Sequence, residues 1–599
     1  MSIPWRSTNT TRSATASGAR SRNAETIYKR NRKTEERQSQ KKIAMVCAAI
    51  DFGTTFSGYA YAFINDPTKI STNIWNGSKT KTPTVLLMNP NKEFHAFGED
   101  AIETYNDLIK ENKHKEWYYF EKFKMQLFVR DTPLDRDMII RDILGKTMNA
   151  ITVFSEAIKY IRKHMMDTLH NEQNGKILIE DNDIRWILTV PAIWDDMSKF
   201  FMREAAKEAG IPSELLTLAL EPEAASLFCK KELGRGKIHR GCRYMVADLG
   251  GGTADITCHE VQQDDTLMEI TPPEGGDFGG TSVDNEYWSM LVGKFGGKIM
   301  KTFKQEHMDE YWEMMRDFEI KKRHFNGSGT VRTKFPLRLT EMFKNQIEMP
   351  LEETISQWPS RDISFIQDKI NFPQERMRAM FDVAVQKVVK LIQKLLEKVG
   401  ELNYIILVGG FSESPYLQHV LKQEFDNILL LPKEPSLAVL QGAVIYGIEN
   451  NAISSRTCRY TYGIARMEKF EPGKHPENKK VKMENYTFCD DVFNKHIEIG
   501  TTVSLKTAND TKYQDYFPSV KNMKVAVLEV YKSKKKDPQF VDEDDCDLVG
   551  YIKAEDINPN NDLWCKLSVR LIFGGTELIV EVKDEKNNIH IRGFVDFFG

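Results

Sequence analysis

Two short stretches carry the residues best suited to hold a polyphosphate: "IDFGTT" at 50–55 and "ADLGGGTAD" at 247–255. Each sets an aspartate at the end of an apolar strand and follows it with glycine and threonine. An unpaired buried carboxylate is very costly, so Asp51 and Asp248 each require a donor, a water or a metal. Glycines allow positive φ and bring backbone N–H groups up to an anion, and threonine hydroxyls add donors. Two such hairpins facing each other would clasp one polyphosphate. Mg2+ suits them, because it is usually held by one or two carboxylates together with water and phosphate oxygens. The repetition predicts duplicated lobes.

Two further glycine turns extend the pattern. "EGGDFGGTSVDN" (Glu274 to Asn285) is expected to touch a terminal phosphate through Gly279 and Gly280. "ILVGGFSESP" (Ile406 to Pro415) ends a strand on Gly409 and Gly410, against which a flat base or ribose could lie. "GKT" at 145–147 does not complete a P-loop, since the glycine required five residues before Gly145 is Ile140.

The elements that must position these residues are legible in outline. From Ile43 to about Glu449, apolar strands alternate with amphipathic helices, the pattern of an α/β domain. The spacing predicts a helix after Asp195 or Asp196 that stops at Gly210, a long one over Gln374–Val399, and one capped by Ser414 with Pro415 in its first turn. After residue 450, short strand-like runs such as "KVAVLEVY" and "ELIVEV" predict a smaller β-rich domain over 451–599, with "SKKKDPQFVDEDDCD" as a charged hairpin loop. Residues 1–42 hold eleven Lys or Arg against three Glu and almost no apolar anchor, so a disordered basic tail is expected.

With 599 residues and a net charge of −3, the chain needs several cores and gives no global reason to expect nucleic acid or membrane binding; weak contacts of the basic tail are the one exception. No run of about 18 apolar residues exists to span a bilayer. The cytoplasm is the expected address, with the nucleus as the alternative. The eight cysteines form no C-x-x-C pair.

Taken together, these motifs resemble the heat-shock protein 70 family of the actin-like ATPase superfamily. "IDFGTTFSGYAY", "VPAIWDDMSKFFMREAAKEAGI…LALEPEAA", "ADLGGGTADIT" and "ILVGGFSESPYLQ" occur in that family's order over about residues 45–449. "AIDFGTTFSGYAYAF" and "SRTCRYTYGI" are most similar to its divergent heat shock 70 kDa protein 12 branch. The resemblance implies a two-lobed, ribonuclease H-like nucleotide-binding domain over 43–450, with lobe I at 43–240 and lobe II at 241–450. ATP or ADP with Mg2+ would lie between the lobes, and residues 451–599 would be a shortened substrate-binding domain without a helical lid.

Site roles follow from the same resemblance. Gly53, Thr54, Thr55 and Phe56 fall in the first phosphate loop with Asp51, and Gly250, Gly251, Gly252 and Thr253 in the second. Asp248 and Asp255 fall near metal-bound and attacking water, and Glu221 of "ALEPEAA" near the metal and nucleophile. The family's phosphate-binding lysine corresponds to Lys124 of "YFEKFKMQL", with Lys122 as the alternative. Glu319, Lys322 and Arg323 match an E-x-x-K-R grip on ribose and base.

The sequence departs from the family on the base side. Phe411 and Glu413 stand where a serine and a base-stacking arginine are expected, and Ser436 replaces an aspartate. Phe411 is expected to supply a stacking face instead. The family's acidic-leucine linker is absent between Glu449 and Thr457. The resemblance implies a chaperone-like, stress-response ATPase whose partners are extended peptide clients and co-chaperones. The alternatives are a non-hydrolysing nucleotide-binding scaffold and a small-molecule kinase of the same fold.

Overall fold

The computed structural model describes residues 44–598, apart from 76, 78, 129–133, 173–178, 235, 348–362, 367, 450, 484–485, 506–510, 518–524, 555–565, 574, 585 and 587–588. The basic N-terminal tail lies outside the described residues.

Lobe I is built on strands β1 (Val46–Phe52), β2 (Phe56–Phe63), β3 (Ile184–Val190) and β4 (Leu216–Leu220). β1 is buried along its whole length and pairs antiparallel with β2 and parallel with β3. Lobe II repeats this unit. β5 (Arg243–Leu249) pairs antiparallel with β6 (Ala254–Val261) and parallel with β8 (Tyr404–Val408), while β7 (Leu267–Gly276) follows β6. In the first hairpin Asp51 stands opposite Gly58, and in the second Asp248 stands opposite Asp255. The repeat predicted from two motifs is therefore carried by whole strand trios.

Helices cover these sheets. α1 (Ala150–Glu172) and α2 (Asp196–Glu208) pack on lobe I, and the Asp195 carboxylate caps α2 by accepting from Ser198 N–H at 2.8 Å. α3 (Glu221–Leu233) starts directly where β4 ends. In lobe II, α4 (Thr281–Phe295), α5 (Met308–His324), α6 (Gln374–Val399) and α7 (Pro415–Phe425) follow, with Ser414 capping α7 through its hydroxyl. α6 buries Met377, Met380, Phe381, Ala384, Val388 and Leu395 on one face, as its spacing predicts.

The lobe II sheet does not stop at residue 450. β9 (Ile453–Thr457) adds parallel to β7, and β10 (Thr502–Ser504) pairs antiparallel with β9. The segment without an acidic-leucine linker is thus a ladder strand. It is fixed by backbone pairing and by Arg456, whose guanidinium donates to both oxygens of the buried Glu223 carboxylate at 2.6 Å.

Beyond β9 the chain forms a five-stranded and a four-stranded antiparallel sheet. The charged loop does join a hairpin, Ala526–Ser533 with Cys546–Ala554. This β-rich unit docks on α2. Arg203 donates to both carboxylate oxygens of Glu577 at 2.5 Å, Tyr462 donates to Asp196 at 2.7 Å, and Thr576 donates to the Leu218 carbonyl at 2.8 Å. Phe200 packs on Phe597 and Phe598, with ring centres 5.4 and 5.1 Å apart. Among the described residues, no helix is long and apolar enough to cross a membrane, and seven free cysteines form no disulfide.

Candidate functional site

The two aspartate hairpins meet. A Cβ added at Gly251 would lie 2.4 Å from Thr55 Oγ1, and one at Gly252 would lie 2.6 Å from Thr54 Oγ1 and 2.4 Å from Met125 Sδ. Only glycine lets the lobe II loop approach the lobe I loop this closely. Thr84 braces Gly53 by donating to its carbonyl at 2.8 Å, and Gly250 N–H donates to the Thr253 carbonyl at 2.9 Å to close the second turn.

Four carboxylates converge behind these loops. Asp51, Asp248, Asp255 and Glu221 are 4, 5, 1 and 8 % exposed, so each is shielded from bulk water. Asp51 accepts from Lys81 Nζ at 2.5 Å and from Thr189 Oγ1 at 3.0 Å. Asp255 accepts from Ile193 N–H at 2.9 Å through one oxygen, while its other oxygen is buried without a partner. Glu221, delivered by β4 to the first position of α3, accepts from Lys124 Nζ at 2.7 Å.

Burial, together with the charges of Glu221, Asp255 and Asp51, pushes Asp248 well above the usual carboxylate range, and Lys81 opposes this. Burial pushes Glu221 up to about 7; Lys124 opposes, while Asp51 and Asp255 add to the rise. Asp255 is also raised by burial, against the Ile193 N–H and Thr253 bonds. Two lysines against four carboxylates leave an excess of acidic groups that a divalent cation would neutralise.

The residues fit Mg2+ in a particular way. Among the described residues, no group of three or more His, Cys, Asp or Glu is arranged as a metal cage. An ion held by one or two carboxylates, water and phosphate needs none. The partnerless Asp255 oxygen supplies a remaining acceptor.

The structure separates the two candidate lysines. Lys122 takes a left-handed conformation (φ 52°) ahead of the short turn Phe123–Leu127. That sends Lys124 inward, where it is 2 % exposed and lies 5.2 Å from the Trp194 ring centre. The Lys122 side chain is 42 % exposed and faces Asp284 of lobe II at 3.9 Å.

Two expectations are corrected. Gly279 and Gly280 do not offer free amides to a phosphate, because their N–H groups donate to the carbonyls of Gly252 and Gly250 at 3.2 and 3.0 Å. They brace the second phosphate loop. Phe411 offers no stacking face, because its ring is 7 % exposed, pressed on Gly280 and stacked on Phe381 in the lobe II core. Gly409 adopts φ +84° beside Asp248, and Gly410 next to it faces open space.

On the base side, Glu319 holds Arg323 at 2.7 Å and Lys322 at 2.5 Å, and Glu413 is exposed. Lys322 also donates to Asp284 at 2.7 Å and to the Gly280 carbonyl at 3.3 Å, which engages all three of its donors. Lys81, Thr189, Trp194 and Asp284 escape sequence reasoning. Lys81 sits in a polar run, "KTKTPT", that carries no signal of burial.

A duplicated strand-trio fold with paired aspartate hairpins across a cleft defines the class of two-lobed, actin-like ATPases. A family model described as "Hsp70 protein" matches residues 49–451, and the chain belongs to the Hsp70 family, whose type is the nucleotide-binding ATPase. Among its relatives is "Heat shock 70 kDa protein 12B" of Homo sapiens, 30 % identical over 94 % of this chain and 93 % of that protein. "Heat shock 70 kDa protein 12A" of Homo sapiens is 28 % identical over the same shares. "Chaperone protein HscA homolog" of Rickettsia prowazekii (strain Madrid E) is 25 % identical over 71 % of this chain and 60 % of that protein.

Proposed function

We propose that the chain binds ATP with Mg2+ between its lobes, hydrolyses it, and uses the nucleotide state to change how the β-rich domain is presented to extended peptide clients. The observation that carries this is the meeting of the Asp51 and Asp248 hairpins, with Lys124 and Glu221 buried beside them.

In this reading Thr54, Thr55 and the Gly250–Gly252 loop cradle the phosphates, and Lys124 offsets charge on the transferred group. Glu221, held near neutrality by burial, and Asp255, with one free oxygen, orient the attacking water together with Thr253. Bound Mg2+ would supply charge neutralisation at the phosphate oxygens, held through Asp51 and Asp248 by way of water. Gly409 and Gly410 border the nucleoside.

The route to the β-rich domain is short. Ile193 donates to Asp255, the neighbouring Ala192 carbonyl accepts from Arg459 at 2.9 Å, and Asp196 accepts from Tyr462. These residues support a nucleotide-dependent switch through the 191–196 turn and α2.

Calorimetry with ATP and ADP, with and without Mg2+, followed by single-turnover hydrolysis, tests the reading. Mg2+-dependent ATP binding lost in Asp248→Asn is expected; unchanged turnover in that variant refutes it. A second reading, a scaffold that binds nucleotide without hydrolysing it, is favoured by the burial of Phe411 and the loss of a stacking arginine at Glu413. Binding without single-turnover release of phosphate would select it.

A further inference from the structure

The base side of the cleft contains a contact that phosphate chemistry does not require. Phe56 leaves the first phosphate loop on lobe I, and Arg323 lies in the last turn of α5 on lobe II. The guanidinium carbon of Arg323 lies 5.4 Å from the centre of the Phe56 ring. A planar cation over an aromatic face at this distance is attracted by the ring quadrupole. The contact joins the two lobes beside the Glu319, Lys322 and Arg323 group that the family resemblance assigns to the ribose and base.

The cation is also held in place. Glu319 accepts from Arg323 Nε at 2.7 Å and from Lys322 at 2.5 Å, Lys322 reaches Asp284, and Asp284 faces Lys122 back on lobe I. A run of contacts, cation–aromatic at Phe56 and ionic from Arg323 onward, therefore starts on lobe I, crosses lobe II and returns to lobe I. The other flat groups of the motif are spoken for: Phe411 is packed in the core, and Glu413 carries the wrong charge to stack as a guanidinium does.

Resting on the ATP reading above, we propose that Phe56 occupies the place of the base on Arg323, so that a nucleotide enters by displacing it. Phosphate contacts then supply most of the affinity, and the identity of the base is weakly discriminated. Phe56 is the residue that sets this balance, because it competes with the base for the Arg323 face.

Calorimetry on the full chain with Mg2+, using ATP, GTP and inorganic tripolyphosphate as probes, tests the competition in the wild type, Phe56→Leu and Phe56→Tyr. Leucine keeps an apolar side chain in β2 but has no aromatic face. It should raise the affinity for ATP relative to tripolyphosphate by about two- to fivefold, the range of an exposed cation–aromatic contact. Tyrosine keeps the face and should leave that ratio at the wild-type value. An unchanged or lower ratio in Phe56→Leu overturns the proposal while tripolyphosphate binding leaves the phosphate site standing.

Failure of all three probes to bind the wild type refutes the ATP reading and this inference with it. A readout without nucleotide is the Arg323 side-chain N–H resonance, which the Phe56 ring should shift upfield and Phe56→Leu should release. Identical Arg323 resonances in the two proteins also overturn the proposal.

Discussion

Replacing Glu577 with alanine should undock the β-rich domain from lobe I. Arg203 is 3 % exposed and Glu577 9 % by side chain, and both guanidinium-to-carboxylate contacts are 2.5 Å. Without Glu577 the guanidinium keeps no anionic partner, only the Ser213 carbonyl and hydroxyl, the Leu216 carbonyl and the Phe594 ring at 4.2 Å. Breaking a buried pair by deleting one partner costs about 3–5 kcal/mol, chiefly because the other charge is stranded. At about 1.4 kcal/mol per factor of ten, the docked population should fall by about two to nearly four powers of ten. The Phe200 contacts and the Tyr462 and Thr576 bonds lie on the same interface and open with it, while the separate apolar cores of lobe I and the β-rich domain keep each folded. Fluorescence energy transfer between labels on α2 and the β-rich domain, alongside urea unfolding, reads this directly. Arg203→Met/Glu577→Met should recover most of the docking, since a well-packed apolar pair often substitutes for a buried ion pair at little cost. A Glu577→Ala protein with wild-type transfer efficiency and one unchanged unfolding transition would refute the reasoning.

Three other outcomes are expected. Lys124→Met should lower kcat by about 10²–10³, as removal of a preorganised charge-stabilising group does; Lys122→Met, at an exposed side chain, should change it by less than about fivefold in the same single-turnover assay. Gly409→Ala places a Cβ 2.4 Å from Asp248 Oδ1 at φ +84° and ψ 162°, a region open essentially to glycine alone, so ATP affinity and the melting temperature should both fall, with backbone strain alone costing about 1–3 kcal/mol. Burial pushes Glu269 up to about 8, with the Glu223 charge adding to the rise, so the folded protein holds a proton that the unfolded chain releases above about 4.5. Stability is therefore lost as pH rises from about 4.5 to 8, on the order of a few kcal/mol, and Glu269→Gln should flatten that stretch of the melting curve against pH.

What the sequence disclosed was local chemistry. The Asp-Gly-Thr turns, the Asp195 and Ser414 caps and the α6 face are each set by neighbours a few residues apart, and all of these elements form as expected. Lys124 could not be told from Lys122 because the difference is a left-handed backbone at Lys122, which no residue type announces. The glycines at 279 and 280 signalled a close approach, but only the tertiary structure shows that the visitor is another loop. Phe411 has the composition of a stacking residue and loses that role to packing on Phe381. "ISSRT" has one strongly apolar residue and no alternation, and it becomes β9 because a sheet edge and the Glu223 carboxylate await it.

β9 also ties the two halves of the molecule into a shared fabric. A fragment cut near residue 450 would strip β9 and β10 from the seven-stranded sheet and leave the flank of β7 as a raw border of unmet N–H and C=O groups. Such borders recruit other strands. The nucleotide-binding half made alone should therefore be sticky, whereas one carried through Ser504 brings its own selvage.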